Sequence, residues 1–377
     1  MVEGLLRTEN EFVQWLRARA AHAPGDGRVR PLKLEKGVNL GIGDDAALVT
    51  VKSGHELILT TDMSVEGVHF TRRLHPPEAV GHRALARSLS DVAAMGGVPR
   101  YALVSLAISK QVTRAWVSGF YRGILALGRD YGVLLVGGDT ALVPPGRTFV
   151  DVLVAGEVPR DRALRRSGAR PGDQIFVSGR LGLSALGLRL LQSKVAQALD
   201  KAGVKRLFFY RPVEPLPVSK ASALYRRAQA RVPVPLAREA VHAHLYPEPQ
   251  CALGRFLSER RLASALMDLS DGLSTDLPRL CAASGVGARL WAAKIPGPGL
   301  PEAADSLQFA LHGGEDYQLL FTVPQRKTSR LPMKFQGRPL YHVGEIEASK
   351  GIKLAMPEGN VQTLEPAGWD YFRRRSH

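Results

Sequence analysis

Five short segments place carboxylates beside glycine, serine or threonine at the ends of apolar runs: Gly41-Ile42-Gly43-Asp44-Asp45, Thr60-Thr61-Asp62, Ser90-Asp91, Gly137-Gly138-Asp139 and Asp268-Leu269-Ser270-Asp271-Gly272. Hard oxygen ligands gathered this way suit Mg²⁺, an ion that keeps several waters and is otherwise held by substrate phosphates, so the pattern points to nucleotide chemistry. The chain carries 51 Lys+Arg against 35 Asp+Glu, a net charge of +16, yet these segments contain no Lys or Arg. Asp44-Asp45 and Asp268 with Asp271 set like charges close together, and such pairing at apolar strand ends calls for a cation. Taken singly, Gly-Asp and Ser-Asp pairs are ordinary turn and N-cap chemistry, so only the combination carries the inference.

The elements that position these acids follow from periodicity. An amphipathic helix is expected over Glu9–Ala21, with Phe12, Val13, Leu16 and Ala20 on one face, followed by a Gly/Pro-rich linker. Leu57–Thr61 reads as a strand leading into a turn at Asp62. Pro77–Met95 has helical spacing and ends at Gly96-Gly97, which puts Asp91 in its last turns. A strand over Tyr101–Ile108, a helix over Thr113–Tyr131 closed by Gly132, and strands over Val133–Val136 and Thr148–Val158 complete an alternating region. Ser167–Asp173 is a turn-rich boundary. Beyond it come a strand at Gln174–Ser178, a helix from Leu183 to Leu199, a Pro-rich connector, a strand at Ala263–Leu266, a helix at Leu273–Ala283, and strands at Tyr317–Val323 and Tyr341–Ile346.

At 377 residues and 45% hydrophobic content, the chain has material for two or three folded domains. Its apolar runs fall far short of the roughly 18 residues of a membrane span, and the polar N-terminus lacks a signal peptide's apolar region, so a cytoplasmic, membrane-free protein is expected. Cys251 and Cys281 stand in no CxxC or metal-ligand spacing and read as core residues. The positive charge invites a nucleic-acid reading. Its arginines are scattered, however, in clusters that are only short, such as 165–166, 226–227 and 373–375, and no aromatic-interleaved basic motif accompanies them, so solvated surface charge is the better account. His55, His242, His244 and His342 lack partners at zinc-like spacing.

No GxxxxGK[ST], strand lysine after a Gly-rich loop, His-Arg-Asp loop or GxSxG is present, so neither a P-loop nor a protein-kinase fold is supported. The ordered series does resemble a known family. Gly41–Leu48, Thr60–Phe70 (TTDMSVEGVHF), Leu89–Gly96 (LSDVAAMG), Gly137–Thr140, Met267–Leu273 (MDLSDGL) and Gly313–Tyr317 (GGEDY) resemble, in order, the motifs of the thiamine-monophosphate kinases, within the aminoimidazole-ribonucleotide-synthetase-like ATPases.

The resemblance implies a two-domain α/β fold with mixed sheets. Residues 1–160 would form an N-terminal domain with the metal and ATP site and the dimer contact, and 161–377 a C-terminal domain completing the ATP and substrate site. It implies that Asp45, Thr60, Thr61, Asp62, Asp91, Asp139, Asp268 and Asp271 hold several Mg²⁺ ions, and that Gly138, Asp139, Arg166, Ser270 and Tyr121 contact ATP. His69, Glu315 and Trp369 would contact thiamine monophosphate. The reaction implied is transfer of the ATP γ-phosphoryl group to that phosphate in thiamine diphosphate biosynthesis, with Asp62, Asp91, Asp139 and Arg166 carrying the catalysis, in a homodimer that binds neither nucleic acid nor membrane. A sibling ATPase acting on another small substrate is the alternative, but the selenophosphate and hydrogenase-maturation branches use cysteines where this chain has none. A basic binding protein leaves the acids unexplained. The Arg/Pro-rich stretch 199–250 lies outside the motifs.

Overall fold

The computed structural model describes residues 15–16, 19, 37–40, 42, 46–201 and 232–369. Asp44 and Asp45, most of the expected N-terminal helix and residues 202–231 lie outside them. The chain divides into two compact units, residues 1–92 with 98–161, and residues 93–97 with 162–377. Among the described residues no helix is long and apolar enough to cross a membrane.

In the first unit a short ribbon, β1 (Val38–Leu40) with β2 (Leu48–Val49), precedes a four-stranded sheet of β3 (His55–Val65), β4 (Val98–Ser109), β5 (Leu134–Val143) and β6 (Phe149–Pro159), in the order β3-β6-β4-β5. β6 runs antiparallel to β3 and β4, while β4 and β5 are parallel and joined by a helix crossover. Helices α1 (Pro77–Ala94) and α2 (Arg114–Tyr131) cover one face. α2 begins where the Thr113 hydroxyl accepts the Trp116 N–H and ends on Gly132 in the left-handed conformation, as the sequence predicts. Leu85, Leu89, Phe120, Ile124, Val152 and Val154 fill the core beneath.

The helices touch where side chains are absent. A Cβ at Gly81 would come 2.0 Å from the Phe120 carbonyl oxygen, and one at Gly123 2.0 Å from that of Glu78. Among the described residues, Val38 of the ribbon covers part of the sheet's other face, against Tyr101, Val136 and Ala155. Leu57, Leu59 and Met63 stand exposed there, Leu59 at 62% and Met63 at 56%.

Two acids expected just beyond strand ends lie within strands. Asp62, expected in a turn after Leu57–Thr61, lies inside β3, because its pairing with β6 runs unbroken from His55 to Val65. Gly137-Gly138-Asp139 lies inside β5, paired with Leu103, Val104 and Ser105 of β4. Glycine is required at 138, where φ is 151° and a Cβ would sit 2.0 Å from the Val104 carbonyl oxygen.

The second unit is built on a seven-stranded sheet of β7 (Gln174–Val177), β8 (Ala265–Leu269), β9 (Gly287–Trp291), β10 (Gln318–Val323), β13 (Tyr341–Glu347), β14 (Ile352–Ala355) and β15 (Val361–Thr363); β11 (Lys334–Phe335) and β12 (Arg338–Pro339) form a separate ribbon. The order is β15-β14-β9-β13-β7-β10-β8, antiparallel except between β14 and β9. Helices α3 (Leu183–Lys201), α4 (Val234–Leu245), α5 (Cys251–Glu259), α6 (Leu273–Ser284) and α7 (Ala303–His312) accompany it. Ile175, Met267, Leu269, Leu277, Leu290 and Leu320 belong to its core, together with Cys281, while α3 and α4 pack through Leu186, Leu190, Leu236 and Ala240. Cys251 is buried too, in line with the sequence reading of both cysteines.

Adding a methyl at the α1–α2 crossing should force the helices apart. Gly81→Ala and Gly123→Ala are each expected to destabilise the protein by about 1–3 kcal/mol, and Gly132→Ala, left-handed but facing open space, by about 1 kcal/mol. Thermal melting of the three variants checks the order.

Candidate active site

In the first unit the acids meet between β3 and α1. Alternation along β3 turns Ile58, Thr60, Asp62 and Ser64 toward the helices. The Thr60 hydroxyl donates to Asp91 Oδ2, and Arg87, one turn before Asp91, reaches Asp62 Oδ1 at 3.3 Å. Burial is the largest influence on the Asp62 carboxyl; Arg87 opposes it, the like charges of Asp91 and Asp151 reinforce it, and the group is pushed up to about 6. Arg87 also corrects the expectation of acids without basic partners: the neutralising side chain is absent from the segment itself and arrives from the neighbouring helix.

Thr61 points the other way and donates to Asp151 Oδ2 at 2.7 Å. One row across the sheet reads Met63, Asp151, Ser105, Asp139, whereas Asp62 sits in the row of Val152, Val104 and Gly138. Asp139 is therefore on the opposite face from Asp62 and three strands away, about 14 Å at ordinary strand spacing. It is exposed, and its Oδ1 accepts the Thr140 N–H at 2.8 Å. Tyr121 is enclosed in the core at 1% exposure, its hydroxyl raised above the ordinary tyrosine range by burial, and presents no surface to a nucleotide here. His69 closes a turn in which its Nδ1 accepts the Val65 N–H at 3.0 Å, so a neutral ring carries its proton on Nε2.

The second unit assembles the rest around the turn between β8 and α6. Asp268 lies within β8, buried, rather than in a turn. The Asp276 carboxylate, one turn into α6, accepts the N–H groups of Asp271 at 2.9 Å and Gly272 at 3.1 Å. Arg279 bridges the acids, with Nη1 2.5 Å from Asp271 Oδ2 and 2.9 Å from Asp276 Oδ1. Burial, reinforced by the Asp271 charge, pushes the Asp276 carboxyl up to about 7 against these donors. Segments distant in sequence are then stitched on: Glu315 N–H donates to the Ser270 carbonyl at 2.7 Å, Tyr317 N–H to Leu269 at 2.9 Å, and Trp369 N–H to Asp271 at 3.0 Å. Gly368 is a close fit, since a Cβ there would sit 2.0 Å from the Asp271 carbonyl oxygen. Arg166 is exposed, its carbonyl held by the Ser284 hydroxyl at 3.0 Å.

Among the described residues no three His, Cys, Asp or Glu side chains stand close enough to hold a metal ion by themselves. The donor set nonetheless fits a hard divalent cation. Asp62 and Asp91 offer only oxygens, and a cation beside them would offset the burial that raises the Asp62 carboxyl.

A family model described as AIR synthase related protein, N-terminal domain, matches residues 43–158, and the corresponding C-terminal domain model matches residues 170–356. The thiamine-monophosphate kinase of Escherichia coli (strain K12) is 35% identical over 353 residues, covering 92% of this chain and 95% of that protein. The chain belongs to the thiamine-monophosphate kinase family. A crystal structure of the Stenotrophomonas maltophilia K279a thiamine-monophosphate kinase superposes with a TM-score of 0.68 at 31% identity, covering 86% of this chain and 92% of that one. AaThiL complexed with AMPPCP and TMP matches with a TM-score of 0.66 at 26% identity, over 98% and 99%. The two-domain architecture with mixed sheets is that of these kinases.

Sequence reasoning missed Arg87, Asp151, Asp276 and Arg279, none of which forms a Gly- or Ser-marked acidic pair. The signal available was helical spacing: Arg87 lies four residues before Asp91, and Asp276 and Arg279 lie one and two turns beyond the Asp271 turn, on the face looking back at it.

A cation binds only the ionised Asp62, so apparent Mg²⁺ affinity should rise as pH climbs through about 6 and then level. In the metal-free protein the same raised carboxyl contributes stability that is full below about 3.8 and lost as pH rises through 6. Calorimetric Mg²⁺ titration at several pH values checks the first, and Asp62→Asn should remove this dependence. Asp276→Ala strands two backbone N–H groups and should cost about 1–3 kcal/mol in a melting experiment, whereas Asp276→Asn keeps an acceptor and should cost less.

Proposed function

We propose that this chain uses ATP to phosphorylate thiamine monophosphate to thiamine diphosphate. The observation that carries the reading is the stitching of Glu315 and Trp369 onto the backbone of Ser270 and Asp271, which joins the residues expected to read the acceptor to the acids expected to face the nucleotide phosphates. The acceptor is already an anionic phosphate oxygen, so no side chain need serve as nucleophile; the task is to hold two repelling polyanions in line and offset the developing charge.

The parts divide accordingly. The proposed Mg²⁺ ligands are Thr60, Asp62 and Asp91 on the helix side of the first unit's sheet, Thr61 and Asp139 on its opposite face and so with a different ion, Asp268 and Asp271 of the second unit, and Asp45. Mg²⁺ when bound supplies neutralisation of phosphate charge. Arg166 offers the nucleotide phosphates a direct positive charge, and Gly138 and Ser270 offer backbone and hydroxyl contacts; for Tyr121 a nucleotide contact would need its enclosure to open. His69 can donate from Nε2 to the acceptor, Glu315 can offset the cationic thiazolium, and the Trp369 ring can stack on it. We place the protein in the cytoplasm and as a homodimer; the exposed Leu57, Leu59 and Met63, on the sheet face away from α1 and α2, support the dimer.

Turnover assays with thiamine monophosphate, free thiamine and aminoimidazole ribonucleotides test the reading: only the first should be phosphorylated, and only with Mg²⁺. Asp62→Asn and Asp91→Asn should reduce turnover by at least about a hundredfold while the fold persists. Near-normal rates at limiting Mg²⁺ would remove that residue from the metal site. Labelled γ-phosphate should pass straight to the acceptor. A chemically competent phosphoenzyme formed from ATP alone would rule out direct transfer.

A further inference from the structure

Glu315 is held by more than its own turn. Its φ is +65° and that of Tyr317 is +49°, left-handed conformations that a side-chain-bearing residue keeps only when its surroundings impose them. Between them Asp316 turns inward, and its carboxylate accepts the N–H groups of Gly182 at 2.6 Å and Ser184 at 3.1 Å, clamping the first turn of α3. Burial raises the Asp316 carboxyl to about 7 in spite of these donors. The Ser184 hydroxyl lies 3.0 Å from Nδ1 of His244, on α4, and the same Nδ1 lies 3.9 Å from Oε2 of Glu315. Both Ser184 and His244 are 1% exposed.

The four residues form a closed ring. Covalent connection joins Glu315 to Asp316, Asp316 holds the backbone of Ser184, the Ser184 hydroxyl meets His244, and His244 faces the Glu315 carboxylate. The helices carrying Ser184 and His244 are interlocked as well: a Cβ at Gly187 would meet the Ala240 carbonyl oxygen at 2.0 Å and His244 Cβ at 2.9 Å. A carboxylate in solution samples several rotamers; the fixed imidazole, 3.9 Å away and beyond hydrogen-bond length, limits those open to Glu315 by occupying the space beside it.

We propose that His244 is a positioning residue for acceptor recognition, orienting the Glu315 carboxylate toward thiamine monophosphate with Ser184 as its support. The inference rests on the reading of Glu315 as an acceptor contact. His244 does not touch the substrate. It acts through Glu315, so its influence should fall on the acceptor and be absent once the carboxylate is gone.

Steady-state kinetics of His244→Gln, Ser184→Ala, Glu315→Gln and the double variant His244→Gln/Glu315→Gln test this. His244→Gln should raise KM for thiamine monophosphate about three- to tenfold with KM for ATP unchanged, as expected for loss of one oriented contact. Ser184→Ala should shift it in the same direction by less. In the Glu315→Gln background the His244 substitution should add nothing. Full additivity, or an equal rise for both substrates, would make His244 a packing residue and overturn the proposal. Glu315→Gln alone separates the two readings: if it leaves KM for thiamine monophosphate unchanged, Glu315 is not an acceptor contact and the role of His244 falls with it. If it raises KM while His244→Gln and Ser184→Ala do not, only the positioning role fails. Melting temperatures identify any variant that loses activity through unfolding, and the remaining variant of the His244 and Ser184 pair then decides.

Discussion

The main chain between β8 and α6 is the constraint on which the second unit depends. Five backbone groups between Leu269 and Gly272 are partnered: the carbonyls of Leu269, Ser270 and Asp271 accept from Tyr317, Glu315 and Trp369, and the N–H groups of Asp271 and Gly272 donate to Asp276. A turn at the end of a buried strand cannot leave its polar groups unsatisfied. Here they are satisfied by the segments that carry chemistry. Backbone economy and site assembly are the same set of hydrogen bonds, which explains why acids, glutamate and tryptophan from widely separated stretches travel together.

Much of this organisation was legible in the sequence, and for local reasons. α2 could be read to within a residue because Thr113 and Gly132 cap it by side chain and by backbone freedom, both properties of a few adjacent residues. The acid motifs could be found because glycine and serine mark them. What could not be read depends on partners. β3 and β5 run on through Asp62 and Gly138-Asp139, because β6 and β4 supply hydrogen bonds that no local pattern announces. β9, β14, β15 and α7 were missed for the same reason: strands of three to five residues and a helix after a Gly/Pro stretch take their definition from the sheet they join.

The electrostatics show the same limit. Scanning the acidic segments for Lys or Arg finds none, yet Arg87 and Arg279 neutralise Asp62 and Asp271 from helix positions chosen by spacing rather than adjacency. The compensation is uneven. Arg279 reaches two carboxylates at once, while Arg87 stands 3.3 Å from one oxygen of Asp62 and leaves that carboxyl raised. Burial raises a carboxyl in each cluster all the same, Asp62 to about 6 and Asp276 to about 7, so neither arginine fully offsets the cost of enclosing its acids.

Trp369 reaches the β8–α6 turn across a long stretch of chain, and its neighbours do the same: Ala367 donates to Ser274 and Gly368 to Thr275, each at a sequence separation of 93 residues. Closing so large a loop costs chain entropy that is recovered only when the strands between have formed. The segment around Trp369 should thus be the last part of this turn to organise during folding and the first to come loose when the chain breathes. On the proposed role of Trp369, detaching residues 364–369 would blunt recognition of the acceptor while Asp276 and Arg279 still held the acidic turn in shape. Substrate selectivity and nucleotide handling would then fail at different points along a gradual loss of structure.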